Sequence, residues 1–425
     1  MIFTLAQGII MIDKTLPKLA VFFRDIIVGH LWLDKQRRFI FQYAILWLKD
    51  PQAMPLSLSL PLREEAFEND MARPFFANLL PEAQVRKIIS RNLQISEKND
   101  FTLLEKIGGE CAGAVSVFPE GVMPQVKPGY RKLDEKSLHD IIVNLPRRPL
   151  LAGEKGLRLS LAGAQNKLPV YIENEQISLA TGNAPSTHIL KPSIPDLEES
   201  VENEAFCMIL AGRMGLPVPP VKIFHTPDAF LLIERYDRIW DKDRQLRRLH
   251  QEDFCQALGI MPEQKYESVG GPSLQQCFNL LSLYSLKPAA DKMALLRWVI
   301  FNVLIGNADA HAKNLALLYQ QRKPSLAPFY DLICTMVYKE LTDKLAMKIS
   351  GEKKVARLGL RHWENFAATV EIKKTFVLKE LSRMAEEIIS QADVLAQSFV
   401  KDHGPAKIIS RIVERIRKNA MQLKY

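Results

Sequence analysis

Apolar residues recur along this chain in two rhythms. In the first part, short apolar runs alternate with turn residues. Lys18–Phe23, Ile26–Leu33 around Gly29, and Arg38–Tyr43 read as strands parted by hairpin-like turns near Arg24-Asp25 and Asp34-Lys35. Pro55-Leu-Ser-Leu-Ser-Leu-Pro61 alternates apolar and small polar residues between prolines, as a half-buried edge strand would. Ala72–Leu80 and Pro81–Asn92 carry helical spacing, with Pro81 at a first-turn position. Gly108-Gly109 and Ala112-Gly113-Ala114 introduce one more strand, Val115–Phe118, and the Pro- and Gly-bearing stretch 119–129 reads as a linker. A small α+β unit is predicted, with nothing in it that resembles a catalytic constellation.

Beyond the linker, small residues lead into a strand at Leu168–Ile172, and a second apolar strand ends at Lys191-Pro192. A helix opened near Ser200 runs through Met214 and is stopped by Gly215-Leu216-Pro217. The strand Phe230–Ile233 then leads into polar Glu234–Arg238. From Leu249 onward the pattern is mainly helical, apart from a strand and turn at Leu345–Gly351, and closes with helices at about 385–399 and 408–423. Two apolar runs, Leu295–Ile305 and Leu315–Tyr319, read as a buried helix and a strand. Between them lies Gly306-Asn-Ala-Asp-Ala-His-Ala-Lys-Asn314, a polar loop held by rigid elements, where catalytic groups tend to concentrate.

Composition narrows the class. The 425 residues, 47% hydrophobic and 25% charged, suit an ordinary soluble globular chain of two or three domains. The longest apolar candidate, near Met293–Ile305, is interrupted by Arg297 and is too short to span a membrane. Met1–Ile12 has no basic leader or small-residue cleavage site, so no signal peptide is expected. Five cysteines (Cys111, Cys207, Cys255, Cys277, Cys334) are scattered and never spaced C-x-x-C, which argues against a disulfide framework and a zinc site and favours the cytoplasm. The formal charge of +9 includes a basic last segment with Lys401, Lys407, Arg411, Arg415, Arg417, Lys418 and Lys424. Such a basic helical segment is more often a solvated face than a polyanion contact.

The candidate chemistry is phosphoryl transfer. It needs a carboxylate for the attacking hydroxyl, an Asn on the metal a short turn later, and a second Asp bridging Mg²⁺ to the phosphates. Asp309 precedes Asn314 by the five residues of a kinase catalytic loop, and Asp331 follows Phe329-Tyr330. Alone, this pattern is equally a polar turn satisfying its own backbone, so the upstream parts decide. The small-residue loop Ala162-Gly163-Ala164-Gln165-Asn166-Lys167 lets backbone N–H groups approach phosphate oxygens, unless it is a plain hairpin turn. Lys191 is either a phosphate-binding point charge or a snorkelling surface lysine. Glu204 is either its partner carboxylate or an acid favoured by the helix dipole. Glu234-Arg235-Tyr236 stands where a kinase places the hinge that reads adenine.

These parts stand in kinase order, and the sequence resembles the HipA family, the serine/threonine kinase toxins of bacterial toxin–antitoxin modules. The resemblance is carried by Pro55–Pro61, Phe76-Ala-Asn-Leu-Leu-Pro81, Ser160-Leu-Ala-Gly-Ala-Gln-Asn-Lys167, Thr187-His-Ile-Leu-Lys191 and Glu202-Asn-Glu204. Glu234-Arg-Tyr-Asp-Arg238, Gln251-Glu-Asp-Phe-Cys-Gln256, Lys265-Tyr-Glu-Ser-Val-Gly-Gly-Pro272, Asp309-Ala-His-Ala-Lys-Asn314 and Phe329-Tyr-Asp331 complete it. It implies an α+β, two-lobed protein-kinase-like fold with an added N-terminal α+β subdomain and a mostly helical C-terminal lobe. The expected divisions are an extension at 1–16, the subdomain at 17–129, the N-lobe at 130–248 and the C-lobe with its basic helix at 249–425.

The resemblance also implies ATP and Mg²⁺ as cofactors. Asp309 would be the general base, with Asn314 and Asp331 as metal ligands. Ala162–Lys167, Lys191, Glu204, Glu234–Tyr236, His311 and Tyr330 would belong to the nucleotide site, and Ser160 to an autophosphorylation site. The expected partners are a small helix-turn-helix antitoxin of the HipB kind, operator DNA bound with it, and a translation protein as substrate, glutamyl-tRNA synthetase first; no membrane partner is expected. The residues before Pro17 exceed the family pattern, which makes Met11 an alternative start to Met1. A DNA co-repressor with residual kinase activity, or a small-molecule phosphotransferase, are the competing functional readings.

Overall fold

A computed structural model describes residues 17–124, 129–154, 156–182, 184–225, 228–320 and 322–423. The expectations for residues 1–16, for the start at Met1 or Met11, for part of the linker and for Lys424 lie outside the described residues.

The first sheet is antiparallel and runs β3-β2-β1-β4, with β1 Lys18–Phe23, β2 Ile26–Leu33, β3 Phe39–Tyr43 and β4 Val115–Pro119. Period-two alternation sorts its side chains. Leu19, Val21 and Phe23 enter a large core, while Ala20 and Phe22 meet Phe118 on the other face. Helices Asn69–Ala77, Ala83–Asn92 and Asp100–Ile107 supply Phe75, Phe76, Ile89 and Leu104 to that core.

A six-stranded antiparallel sheet follows in the order β5-β7-β6-β8-β10-β9. Its strands are β5 Gly129–Lys132, β6 Leu168–Glu173, β7 Gln176–Thr181, β8 His188–Pro192, β9 Val221–Phe224 and β10 Phe230–Glu234. Leu168, Leu190, Phe230 and Leu232 share the core that Phe75 and Leu104 occupy. Their alternates Leu231 and Ile233 face a second core, built from Phe206 together with Phe254, Phe278, Trp298, Phe301, Trp363 and Ile412 of the C-terminal lobe. One strand thus ties the two cores together.

Helix Pro288–Ile305 has Pro at its start and is buried nearly all round from Leu295, the mark of a helix inside a core. Gly306 ends it at φ 74°, and a Cβ there would stand 3.1 Å from Arg415 Cγ and 3.3 Å from Met336 Cβ. The next strand, Ala316–Tyr319, pairs with His250–Asp253. Among the described residues, no helix is long and apolar enough to cross a membrane.

Besides Pro81, which bridges Gly163 ahead of the helix Ala83–Asn92 instead of standing in its first turn, two expectations need correction. The segment 55–61 is a turn with one bridge, Ser57 to Leu60, not an edge strand. Leu56 and Leu60 are buried, and the serines anchor sideways instead of joining a ladder: Ser59 Oγ donates to the Gln256 carbonyl (2.9 Å), and Ser57 Oγ donates to Glu252. The second is His250–Asp253, which is a strand within the stretch read as mainly helical. Its alternate residues, His250 and Glu252, are buried polar groups, so no apolar rhythm marks it.

Candidate active site

The two lobes meet around a cavity of about 400 Å³. Lys191 reaches it from β8, on the face opposite core residue Leu190. Its ammonium lies 2.6 Å from Glu204 Oε1 of helix Ser200–Arg213 and also contacts Asp331 Oδ1. Burial alone would lower the pKa of Lys191, but these carboxylates outweigh it and hold the ammonium above its ordinary range. Lys191 and Lys167 in turn hold the Asp331 carboxyl well below the usual range. Asp331 has φ 53°, a left-handed conformation that is uncommon outside glycine and that clusters at functional sites.

The small-residue loop forms one wall. Ala162, Gly163, Ala164, Gln165 and Lys167 line the cavity, and Lys167 Nζ donates to the Ala162 carbonyl (2.7 Å), folding the loop on itself. Asn166 is not in the wall, and neither is Ser160. Ser160 is fully buried, its hydroxyl donating to the Leu79 carbonyl (2.8 Å) and its N–H to the Glu110 carbonyl (2.9 Å).

Glu234, Arg235 and Tyr236 line the far end. The Arg235 guanidinium is turned to Asp237 (2.8 and 2.9 Å) and Glu110 (3.4 Å), which makes its side chain a strut between the lobe and the N-terminal unit. The Glu234 and Arg235 amides donate to the carbonyls of Pro220 (3.0 Å) and Thr187 (2.9 Å). Tyr236 stacks near Tyr330 (6.0 Å, 24°), and Tyr330 Oη donates to the Lys313 carbonyl (2.7 Å).

Asp309, His311 and Asn314 close the cavity from the C-terminal lobe. Asp309 is exposed, and Tyr266 Oη donates to its Oδ1 (2.8 Å). Asn314 Nδ2 donates to the Asp309 carbonyl (3.3 Å), binding the loop across the helical turn Ala312–Asn314. His311 is buried beside the Tyr266 ring (5.3 Å), and burial pushes its imidazole down to about 4, so it is neutral near pH 7. Among the described residues, no group of three or more His, Cys, Asp or Glu is placed to hold a metal by itself. Asn314 and Asp331 offer two hard oxygen donors to the cavity, the number that suits Mg²⁺ when substrate phosphates and water complete its shell.

The sequence reading missed Lys313, Asp253, Glu82 and Asn78, all of which line the cavity. Lys313 Nζ lies 2.5 Å from Asn78 Oδ1, 2.9 Å from Asp253 Oδ2 and 3.5 Å from Glu82 Oε1. A signal was present: each belongs to, or directly follows, one of the quoted motifs and carries a polar or charged group with no role assigned.

The fold and the cavity together define a two-lobed, protein-kinase-like chain. It belongs to the HipA family: the HipA-like C-terminal domain matches residues 159–394 and the HipA N-terminal domain residues 19–118. Y4mE of Sinorhizobium fredii, which bears the name of a kinase, is 42% identical over 391 residues, 90% of this chain and 92% of that one. The serine/threonine-protein kinase toxin HipA of Shewanella oneidensis is 31% identical over 380 residues, 86% of each chain. A chain in the solved complex of Shewanella oneidensis MR-1 HipA, HipB and operator DNA superposes with a TM-score of 0.80 at 28% identity, covering 96% of both.

Proposed function

We propose that this chain is an ATP- and Mg²⁺-dependent serine/threonine-protein kinase that serves as the toxin of a toxin–antitoxin module. The observation that carries the reading is the Lys191 ammonium between Glu204 and Asp331, across one cavity from the Asp309–Asn314 loop. Lys191 holds nucleotide phosphates as a fixed charge, and Glu204 stops it drifting. Asn314 and Asp331 would hold Mg²⁺, which when bound would neutralise charge on the transferred group. Asp309 orients the acceptor hydroxyl and takes its proton. At the hinge, two amides are already engaged, which leaves the Tyr236 N–H and the Glu234 carbonyl to read the adenine edge. Neutral His311 packs beside the nucleotide without adding charge.

The acceptor is a serine or threonine on a translation protein, with glutamyl-tRNA synthetase the first to test. The partner is a HipB-like antitoxin, and together they bind operator DNA; support comes from the assembly in which the Shewanella relative was solved. The basic tail gives this limited help, because Arg411 and Arg415 bind the Val337 and Met336 carbonyls and Arg417 binds Asp393 (2.7 Å). All five cysteines are free, which suits the cytoplasm.

Gly163 tests the phosphate loop. It has φ +110°, and a Cβ would stand 2.8 Å from Lys167 Nζ. Strain of this kind costs about 1–3 kcal/mol, so Gly163→Ala is expected to weaken Mg-AMP-PNP binding in calorimetry about fivefold or more. An unchanged affinity would remove the loop from the nucleotide site.

Ser160 is the site of slow self-inactivation. Its hydroxyl is buried against Leu79, so it must leave that place to be phosphorylated. A phosphate of roughly −1.5 to −2 charges cannot return beside a carbonyl in a closed core, and the loop stays open. Incubation with Mg-ATP is expected to add one phosphate to the Ser160 peptide of wild type and none to Asp309→Asn, with loss of ATP binding. If label passes to other proteins while Ser160 stays unmodified, self-inactivation is wrong and the kinase stands. If no protein is labelled, the kinase reading falls.

A further inference from the structure

The N-terminal unit reaches the cleft through one short segment. Asn78 ends helix Asn69–Ala77, and Leu79, Leu80 and Pro81, all buried, carry the chain to Glu82 ahead of helix Ala83–Asn92. On one side the segment is stitched to the phosphate loop. The Leu79 carbonyl accepts from the Ser160 hydroxyl (2.8 Å), Pro81 pairs with Gly163 as a parallel bridge, and Glu82 N–H donates to the Gly163 carbonyl (3.1 Å). On its other side it holds the catalytic loop. Asn78 Oδ1 accepts from Lys313 Nζ (2.5 Å), and Glu82 Oε1 lies 3.5 Å from the same ammonium. Glu82 Oε2 accepts from Lys265 Nζ (2.8 Å), next to Tyr266, whose hydroxyl donates to Asp309. Lys313 itself immediately precedes Asn314.

Stability alone does not account for this arrangement. Burying ammonium and carboxylate groups costs desolvation that apolar contacts of the same size would avoid. What a buried, multiply bonded lysine adds is a fixed position. Here the fixed position belongs to the residue next to Asn314, and the same five residues fix the loop opposite. Fixity has its greatest effect at such a place, because a misplacement of about 1 Å can cost roughly 10²-fold in rate.

We propose that Asn78–Glu82 is a positioning segment of the phosphoryl-transfer site. It sets the separation of the phosphate loop from the catalytic loop, with Glu82 and Asn78 acting through Lys313. The inference rests on the kinase reading for what the two loops do, but the coupling of the loops is observable without it. It also makes the N-terminal unit a working part of the site.

Glu82→Gln in the full chain is the test, since it keeps the shape and an oxygen for Lys265 but removes the charge. Release of ADP from Mg-ATP is expected to lose about 10- to 100-fold in kcat, with KM for ATP within about threefold of wild type. The melting temperature should fall by at most a few degrees, because Lys313 keeps Asp253 and Asn78, and hydrogen exchange should quicken in both 160–167 and 309–314. Glu82→Asp, which restores the charge on a shorter stem, should recover part of kcat. Unchanged kcat overturns the proposal. So does a fall in kcat that tracks a fall in melting temperature and that Glu82→Asp does not relieve, since that marks a structural contact only. If wild type neither binds nor turns over Mg-ATP, the kinase reading fails by itself, and exchange still decides the segment. Faster exchange in both loops then upholds the coupling, and a change confined to the helix at 83–92 overturns it.

Discussion

Asp309→Asn is expected to lower phosphoryl transfer by about 10²–10⁴-fold, while folding and nucleotide affinity stay close to wild type. Asp309 is exposed, and among the described residues its side chain takes one hydrogen bond, from Tyr266 Oη to Oδ1 at 2.8 Å. An asparagine keeps an oxygen there, so Tyr266 keeps its partner. The Asp309 backbone bonds, N–H to Asn307 Oδ1 and carbonyl from Asn314 Nδ2, do not depend on the side chain. On the proposed reading, what is lost is the proton acceptor and a full charge beside the acceptor hydroxyl. Asp331→Asn should abolish transfer too, but with weaker nucleotide binding, because it removes a partner of Lys191 and, on the proposed reading, a metal ligand. Transfer of labelled phosphate and growth arrest on induction both read the effect. If Asp309→Asn still transfers label and still arrests growth, the base lies elsewhere.

Where local chemistry dictates the backbone, the sequence was readable. The run at 295–305, apolar but for Arg297 and Asn302, reads as an interior helix, a glycine at φ 74° ends it, and the polar loop follows at once. Lys191 at the end of an apolar strand and Glu204 in the first turns of a helix were legible as a pair because each element has a clear rhythm. The motif order then identified the family. What stayed hidden depends on partners remote in sequence. Lys313 and Asn78 stand 235 positions apart, and no periodicity links them. The strand His250–Asp253 is masked by its own polar residues, and the turn at 55–61 copies a strand's alternation while its serines bond outward. Arg235 has the position of a hinge residue, but its side chain is taken by Asp237 and Glu110, an acid of the N-terminal unit. In each case a polar side chain was seen in sequence, and its partner was not.

Lys191→Met is expected to have the largest combined effect: nucleotide binding falls sharply, and the chain loses about 3–5 kcal/mol of stability. Lys191 and Glu204 are both buried, so the variant leaves the Glu204 carboxylate without its ammonium. Burial already pushes the Glu204 carboxyl upward, and without Lys191 it is driven further toward the protonated form. The pH dependence follows in sign. A carboxyl whose folded pKa lies above its unfolded value keeps its full contribution below the unfolded pKa and loses it as pH rises through the folded one. The stability deficit of Lys191→Met should therefore grow from about pH 5 to about pH 8. Adding Glu204→Gln removes the stranded charge. The double variant should regain most of the stability and lose the added pH dependence, yet still bind Mg-ATP poorly, because on the proposed reading the Lys191 ammonium is the one that holds the phosphates. Thermal melts at the two pH values and calorimetry with Mg-AMP-PNP separate these roles. A double variant that recovers nucleotide affinity along with stability would show that Lys191 only holds the fold, and the phosphate site would then belong to Lys167 or Lys313.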